Sequence, residues 1–385
     1  MIETLEKPKT STGKALRTEE MIVNMGPQHP STHGVLRLEV VLDGEIVTDV
    51  IPHLGYLHRC FEKHCEHMTS YQQVIPYVDR MDYVASMTNE MAYVVAAEKM
   101  LKIEVCDRVH YIRIIMAELQ RIASHLIAIG TFGIDMGAFT PFLYYFRDRE
   151  KILELFEMTC GARLLYNYMW IGGLSHDIPP QFVEKTKEFI VDFKKTLREV
   201  NDLLNNNEIF IKRTANVGIL PKNLAINYAC SGPMLRGSGV SWDLRRDDPY
   251  TLYDKFEWDV IVGKGEMGTV GDVWDRNMVR QREMWESLRI IEQAISSIPE
   301  GDVSKAIPKR IRPVPGDAYG RVEGPRGELG FYIVAEDNVT PYRIKARAPA
   351  FVNLSVITDI SKGAMLADLV AIMGSIDIVL GEVDR

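Results

Sequence analysis

Several absences narrow the possibilities before any motif is considered. The 385-residue chain has five cysteines, an odd and scattered set at positions 60, 65, 106, 160 and 230, with no CxxC pair. That excludes a disulfide framework and points to free thiols in a reducing compartment. No apolar run reaches the roughly 18–20 residues that span a bilayer. The nearest, 369–380, is interrupted by Ser375 and Asp377. The first twenty residues, MIETLEKPKTSTGKALRTEE, carry acids and no apolar h-region, so they resemble neither a signal nor a transit peptide. They read as an extended, partner-draped arm. Basic excess is missing too: 45 Lys and Arg against 53 Asp and Glu leave a formal charge of −8, which argues against a nucleic-acid partner. Any membrane association must come through other subunits.

The remaining pattern is that of an ordinary globular chain with a sizeable core. MIVNM (21–25) reads as a strand. Leu36, Leu38, Val40 and Leu42 alternate, Asp43-Gly44 supplies a two-residue turn, and Ile46, Thr48 and Val50 return, a hairpin pattern. From about residue 59 the period becomes helical. Val109, Ile112, Met116, Leu119, Ile122, Leu126 and Ile129 recur every three or four residues, as do Phe182, Phe189, Phe193, Leu197, Val200 and Leu204. A third helix is predicted over about 275–298. A Pro-rich linker (299–318) leads to a second hairpin, GELGFYIV and PYRIKARAP, and a last helix, KGAMLADLVAIM. The fold class is therefore mainly α with small β elements (α+β): an arm over 1–20 and one domain over 21–385. Within that domain lie a β part (21–58), a helical body (59–298), the linker, and a C-terminal hairpin and helix (319–385).

Five constellations could carry chemistry. HLGYLHRCFEKHCEHM (53–68) crowds His53, His58, His64, His67, Cys60 and Cys65. Zinc sites normally draw on a second ligand pair, and an iron–sulfur site needs more cysteines, so a helix rim of ordinary imidazoles outweighs a metal site. Gly263, Gly265 and Gly268 spell G-x-G-x-x-G after a predicted strand over 258–262. No helix starts at once and no second strand ends in an acid, so a glycine-rich loop outweighs a dinucleotide site. GPQHPSTHG places His29 and His33 in an extended loop, where function and simple backbone bonding are balanced. PYVDRMDYVASMTNEMAYVV reads as a helix entry with Asp79 and Asp82 in its first turn and Tyr83, Met87, Met91 and Val94 on one stripe. On that stripe Tyr83 is more often a core residue than a catalytic group. In GTFGIDMGAFTPF, Asp135 sits among apolar residues. It needs a histidine or backbone donors if buried, or serves as a helix N-cap.

Taken together, NMGPQHPSTHGVLRLEVVLDGE, PYVDRMDY, IDMGAFTPF, SGPMLRGSGVSWDLRRDDPY, RGELGFYIV, RAPAFVNL and GSIDIVLGEVDR resemble one family from about residue 21 to the end. It is the family of the D subunit of the proton-pumping NADH–quinone oxidoreductase, respiratory complex I, whose mitochondrial counterpart is the 49-kilodalton subunit. The resemblance implies the fold of the related nickel–iron hydrogenase large subunit. The stretches matching that protein's metal-binding cysteine pairs read VDRMDYVA and DIVLGE here, without a cysteine, which implies a quinone cavity where the hydrogenase holds metal. Carried over residue by residue, it implies that His33 and Tyr83 hydrogen-bond the two carbonyls of the quinone headgroup. It also implies that Asp135 pairs with His33 and that Arg80 lies near the terminal 4Fe-4S cluster of the adjacent iron–sulfur subunit. Quinone is then the substrate, and no metal or flavin is expected on this chain. The implied partners are that subunit, other peripheral-arm subunits and a quinone-channel membrane subunit. The implied place is peripheral, on the cytoplasmic side of the bacterial inner membrane. A related complex fed by a deazaflavin or ferredoxin is the alternative. Many members carry a longer insertion where this chain has only the 299–318 linker.

Overall fold

The computed structural model describes residues 19–308 and 310–385, so the arm predicted over 1–20 lies, up to residue 18, outside the described residues. The N-terminal sheet is an antiparallel meander of β1 (Glu20–Met25), β2 (Arg37–Asp43) and β3 (Ile46–His53). Leu36, Leu38, Val40 and Leu42 are buried as their alternation requires. The turn itself is Gly44-Glu45, one residue later than predicted, because Asp43 pairs with Ile46. A bulge makes a second correction. Pairing jumps from Val41↔Asp49 to Leu42↔Val47, leaving Thr48 as the extra residue, so Val47 and Val50 face the core while Thr48 is exposed.

The body is built around helix Asp107–Asp135, whose predicted apolar stripe is buried throughout. Helices Ser86–Leu101, Thr140–Cys160 and Val273–Ser296 pack on it, and helix Gln181–Val200 packs outside with its Phe182, Phe189, Phe193, Leu197 and Val200 stripe inward. A minor ribbon, β4 (Met169–Trp170) with β5 (Gly173–Leu174), interrupts the helices. The central helix also carries buried charge. Glu118 receives Arg121 Nε and Arg245 Nη1, each at 3.1 Å, and the hydroxyls of Tyr253 and Ser287, each at 2.7 Å. Burial would raise its carboxyl, but the two guanidiniums hold it down at about 2.

The C-terminal sheet has three strands: β6 (Gly316–Gly324), β7 (Gly327–Ala335) and β8 (Arg343–Arg347). β6 starts inside the stretch read as linker. Its inward positions include Ala318 and Gly320, too small to print a hydrophobic alternation. Gly320 is required because a Cβ there would lie 2.5 Å from Ala96 Cα of the helix beneath. Helix Leu366–Ile376 follows, then a short helical turn, Leu380–Asp384.

Two further expectations are corrected. Residues 258–262 form no strand, and the glycine loop instead folds onto the start of helix Val273–Ser296. There Asp275 accepts from Gly265 N at 2.9 Å and Asp272 caps the helix, so carboxylates occupy the place a phosphate would take. Asp79 and Asp82 are not in a helical first turn. Asp79 ends a short helix (Ile75–Asp79), Asp82 Oδ1 accepts from Val84 N at 3.1 Å, and the next helix starts at Ser86. Local side-chain bonds of this kind compete with helix continuation. Tyr83 therefore lies in a turn, off the stripe of Met87, Met91 and Val94.

Candidate functional site

His33 closes a single 3-10 turn, Pro30–Thr32, in a left-handed conformation (φ 50°, ψ 36°) with its N–H directed at Pro30 O. The turn is anchored by buried Thr32, whose hydroxyl lies 2.8 Å from His29 O. This geometry projects His33 Nε2 to 2.6 Å from Asp135 Oδ2. Asp135 is the last residue of the central helix, not an N-cap. Both side chains are mostly enclosed, at 17% and 8% exposure, which leaves one edge of the imidazole open. Helix Leu366–Ile376 closes the other side. A Cβ on Gly374 would meet Phe132 Cδ2 at 2.8 Å and Asp135 Oδ2 at 3.5 Å.

Tyr83 is half-buried. Burial first, then the Asp82 charge, push its phenol up, while Arg326 and Arg59 partly offset them. Its hydroxyl makes no hydrogen bond among the described residues and stays available as a donor. The segment Leu380-Gly381 links Tyr83 to His33. A Cβ on Gly34 would lie 2.9 Å from Leu380 Cδ1, and one on Gly381 would lie 3.3 Å from Tyr83 Cε1. Tyr83 and Gly34, the residue after His33, thus approach consecutive residues at the C-terminal turn. Arg80 is exposed, at the end of helix Ile75–Asp79, with its carbonyl accepting from Arg59 Nη2.

Sequence reading assigned no role to the charges behind Tyr83. Arg326 donates through Nη1 to Asp82 Oδ2 at 2.6 Å and through Nε to Asp377 O at 2.9 Å, and its Nη2 lies 3.4 Å from Asp377 Oδ1. Against the burial that disfavours charge, Asp377 and Asp82 hold Arg326 above its usual value. Glu382 is fully buried beside them. The one hydrogen bond to its carboxyl among the described residues comes from Ala350 N at 3.3 Å. The available signal was Asp377 and Glu382 set among the apolar residues Ile376, Ile378, Val379, Leu380 and Val383.

The His/Cys cluster disperses. His53 pairs with Glu39 at 3.1 Å, His58 Nδ1 lies 2.8 Å from Asp384 O, and His67 Nδ1 lies 2.9 Å from Lys63 O. Cys65 is buried and Cys60 exposed. Among the described residues no three His, Cys, Asp or Glu side chains are grouped to hold a metal. No described helix is long and apolar enough to cross a membrane. A cavity of about 390 Å³ lies away from His33 and Tyr83, between Trp170–Leu174 and Ser304–Ile311.

The sequence of this helical body places it in a class of respiratory-chain subunit. The profile of the family described as "Respiratory-chain NADH dehydrogenase, 49 Kd subunit" matches residues 135–314 and 304–385, and the chain belongs to that family. Individual relatives are similarly close. The D subunit of the NADH-quinone oxidoreductase of Chlorobaculum tepidum is 58% identical over 376 residues, 97% of this chain and 94% of the relative. Those of Pelodictyon phaeoclathratiforme and Chlorobium luteolum are each 59% identical over 97% of this chain, covering 94% and 95% of the relative.

Proposed function

We propose that this chain is a core subunit of respiratory complex I that forms the quinone-headgroup site with an adjacent iron–sulfur subunit. In this reading it lies peripherally, on the cytoplasmic side of the membrane, and quinone reduction is coupled to proton translocation. The observation that supports it is the His33–Asp135 pair at 2.6 Å, together with a Tyr83 hydroxyl that makes no hydrogen bond among the described residues. Reducing a quinone to a quinol takes two electrons and two protons. His33 donates one proton to one headgroup oxygen while Asp135 orients the ring. Tyr83 donates to the other oxygen. Electrons come from the partner's iron–sulfur centre, and exposed Arg80 faces that partner. The partner also closes the open edge of the site and excludes water, which strengthens these hydrogen bonds.

The test is NADH–quinone reductase activity in membranes carrying His33→Ala or Tyr83→Phe. Loss in both, with normal assembly, is expected; wild-type turnover in both would overturn the reading.

A further inference from the structure

Two arginines, Arg276 and Arg280, lie one turn apart on helix Val273–Ser296, and both are buried. Arg276 makes no ion pair among the described residues, and Arg280 has only Asp377, 3.9 Å away. Burial pulls both guanidiniums down, Arg276 to about 9, so both still carry charge at neutral pH. A buried cation without a close carboxylate is costly, and its N–H groups must find other acceptors. They find them at the C-terminal end of helix Leu366–Ile376. Arg280 Nη2 donates to Ser375 O at 2.7 Å and lies 3.4 Å from Ile376 O, and Arg276 Nε donates to the Ser375 hydroxyl at 3.0 Å. Arg276 Nη1 ties the same point to the carbonyls of Gly218 and Gly271, at 2.9 and 2.6 Å. The last carbonyls of a helix lack intrahelical partners and carry the negative end of its dipole, so two cations hold this end in place.

The held end forms a wall of the candidate site. Gly374, the residue before Ser375, faces the long helix, where a Cβ would lie 2.8 Å from Phe132 Cδ2 and 3.5 Å from Asp135 Oδ2. The same helix packs on the turn that carries His33. With so little space at Gly374, a displacement of the helix end is passed on to Asp135. We propose that Arg280 is a positioning residue: by holding the Ser375 and Ile376 carbonyls it fixes the helix against which Asp135 is set, and so the geometry in which Asp135 orients His33. This rests on the reading of His33 and Asp135 as the pair that serves the quinone. Arg280 hydrogen-bonds to neither of them and moves no proton. Its effect is on geometry, and a shift of about 1 Å caused far from the chemistry can cost about a hundredfold in rate.

The experiment is NADH–quinone reductase kinetics in membranes containing the assembled complex, with Arg280→Met and Arg280→Lys each made in wild type and in Asp135→Asn. Assembly is checked with a soluble acceptor that drains electrons upstream of the quinone site. Arg280→Met should lower quinone turnover about twentyfold, and Arg280→Lys about fivefold, since an ammonium keeps the charge but not the fixed fork of the guanidinium. In the Asp135→Asn background the orientation of His33 is already lost, so each substitution should cost less than about twofold. A role in packing alone would cost the same factor in both backgrounds. Equal losses in the two backgrounds, or wild-type turnover in both Arg280 variants, overturn the role of Arg280 and leave that of Asp135 standing. If Asp135→Asn by itself keeps wild-type turnover, the reading of the His33–Asp135 pair fails and Arg280 with it. Should Arg280→Met not assemble, Arg280→Lys decides by the same comparison, and wild-type turnover in that variant overturns the proposal.

Discussion

His33 Nε2 and Asp135 Oδ2 lie 2.6 Å apart although 102 residues separate them in the chain. One comes from a tight turn before the first hairpin, the other from the last position of the longest helix. Helix Leu366–Ile376 packs against both the turn and the long helix where the two side chains meet. Asp135→Asn keeps the size of the side chain and replaces the carboxylate that orients the His33 ring with an amide. Quinone reductase turnover is expected to fall about tenfold to a hundredfold, with a change in thermal stability below about 1 kcal/mol.

Tyr83→Phe removes a hydroxyl that bonds to nothing among the described residues. Folding stability should therefore stay within about 0.5 kcal/mol of wild type. Any loss of activity then reports lost quinone contact, read by comparing thermal unfolding with steady-state turnover on one preparation.

Gly374 is a spacer for the same corner. Gly374→Ala would place a methyl 2.8 Å from Phe132 Cδ2 and 3.5 Å from Asp135 Oδ2, so the ring must shift. A stability loss of about 1–3 kcal/mol is expected, as for other overpacked cores, together with a raised quinone KM. Kinetics at several quinone concentrations test this.

Arg326 binds two buried carboxylates at once, so Arg326→Met should destabilise the chain by about 3–5 kcal/mol. Adding Asp82→Asn should restore part of that loss, because one uncompensated charge is then gone. A double-mutant cycle in thermal unfolding measures the coupling.

Glu118 makes the helical body acid-sensitive. Its folded value near 2 lies below the ordinary 4.5, so its contribution is fully present above pH 4.5 and lost as pH falls from about 4.5 to about 2. Glu118→Gln should cost about 3–5 kcal/mol at neutral pH and flatten the loss of stability below pH 4.5. Unfolding midpoints across pH 2–7 would show both effects.

Much of this protein is written in local pattern. The long helices follow from apolar residues every three or four positions, and the first hairpin from strict alternation of Leu36, Leu38, Val40 and Leu42. Motif likeness singled out His33, Tyr83, Asp135 and Arg80, the residues to which the proposal assigns the site. What local pattern misses is set by packing. The bulge at Thr48 exchanges one face for another, and β6 hides behind Ala318 and Gly320, the second of which admits the close approach of a neighbouring helix. The turn at Asp82 displaces Tyr83 from the helix that periodicity assigned it. The buried charge cluster is the clearest case. Asp82, Arg326, Asp377 and Glu382 come from three distant segments, and periodicity says nothing about which carboxyl meets a cation. That depends on distances of a few ångströms between elements, where desolvation and Coulomb attraction nearly cancel, and the folded chain alone decides which one wins.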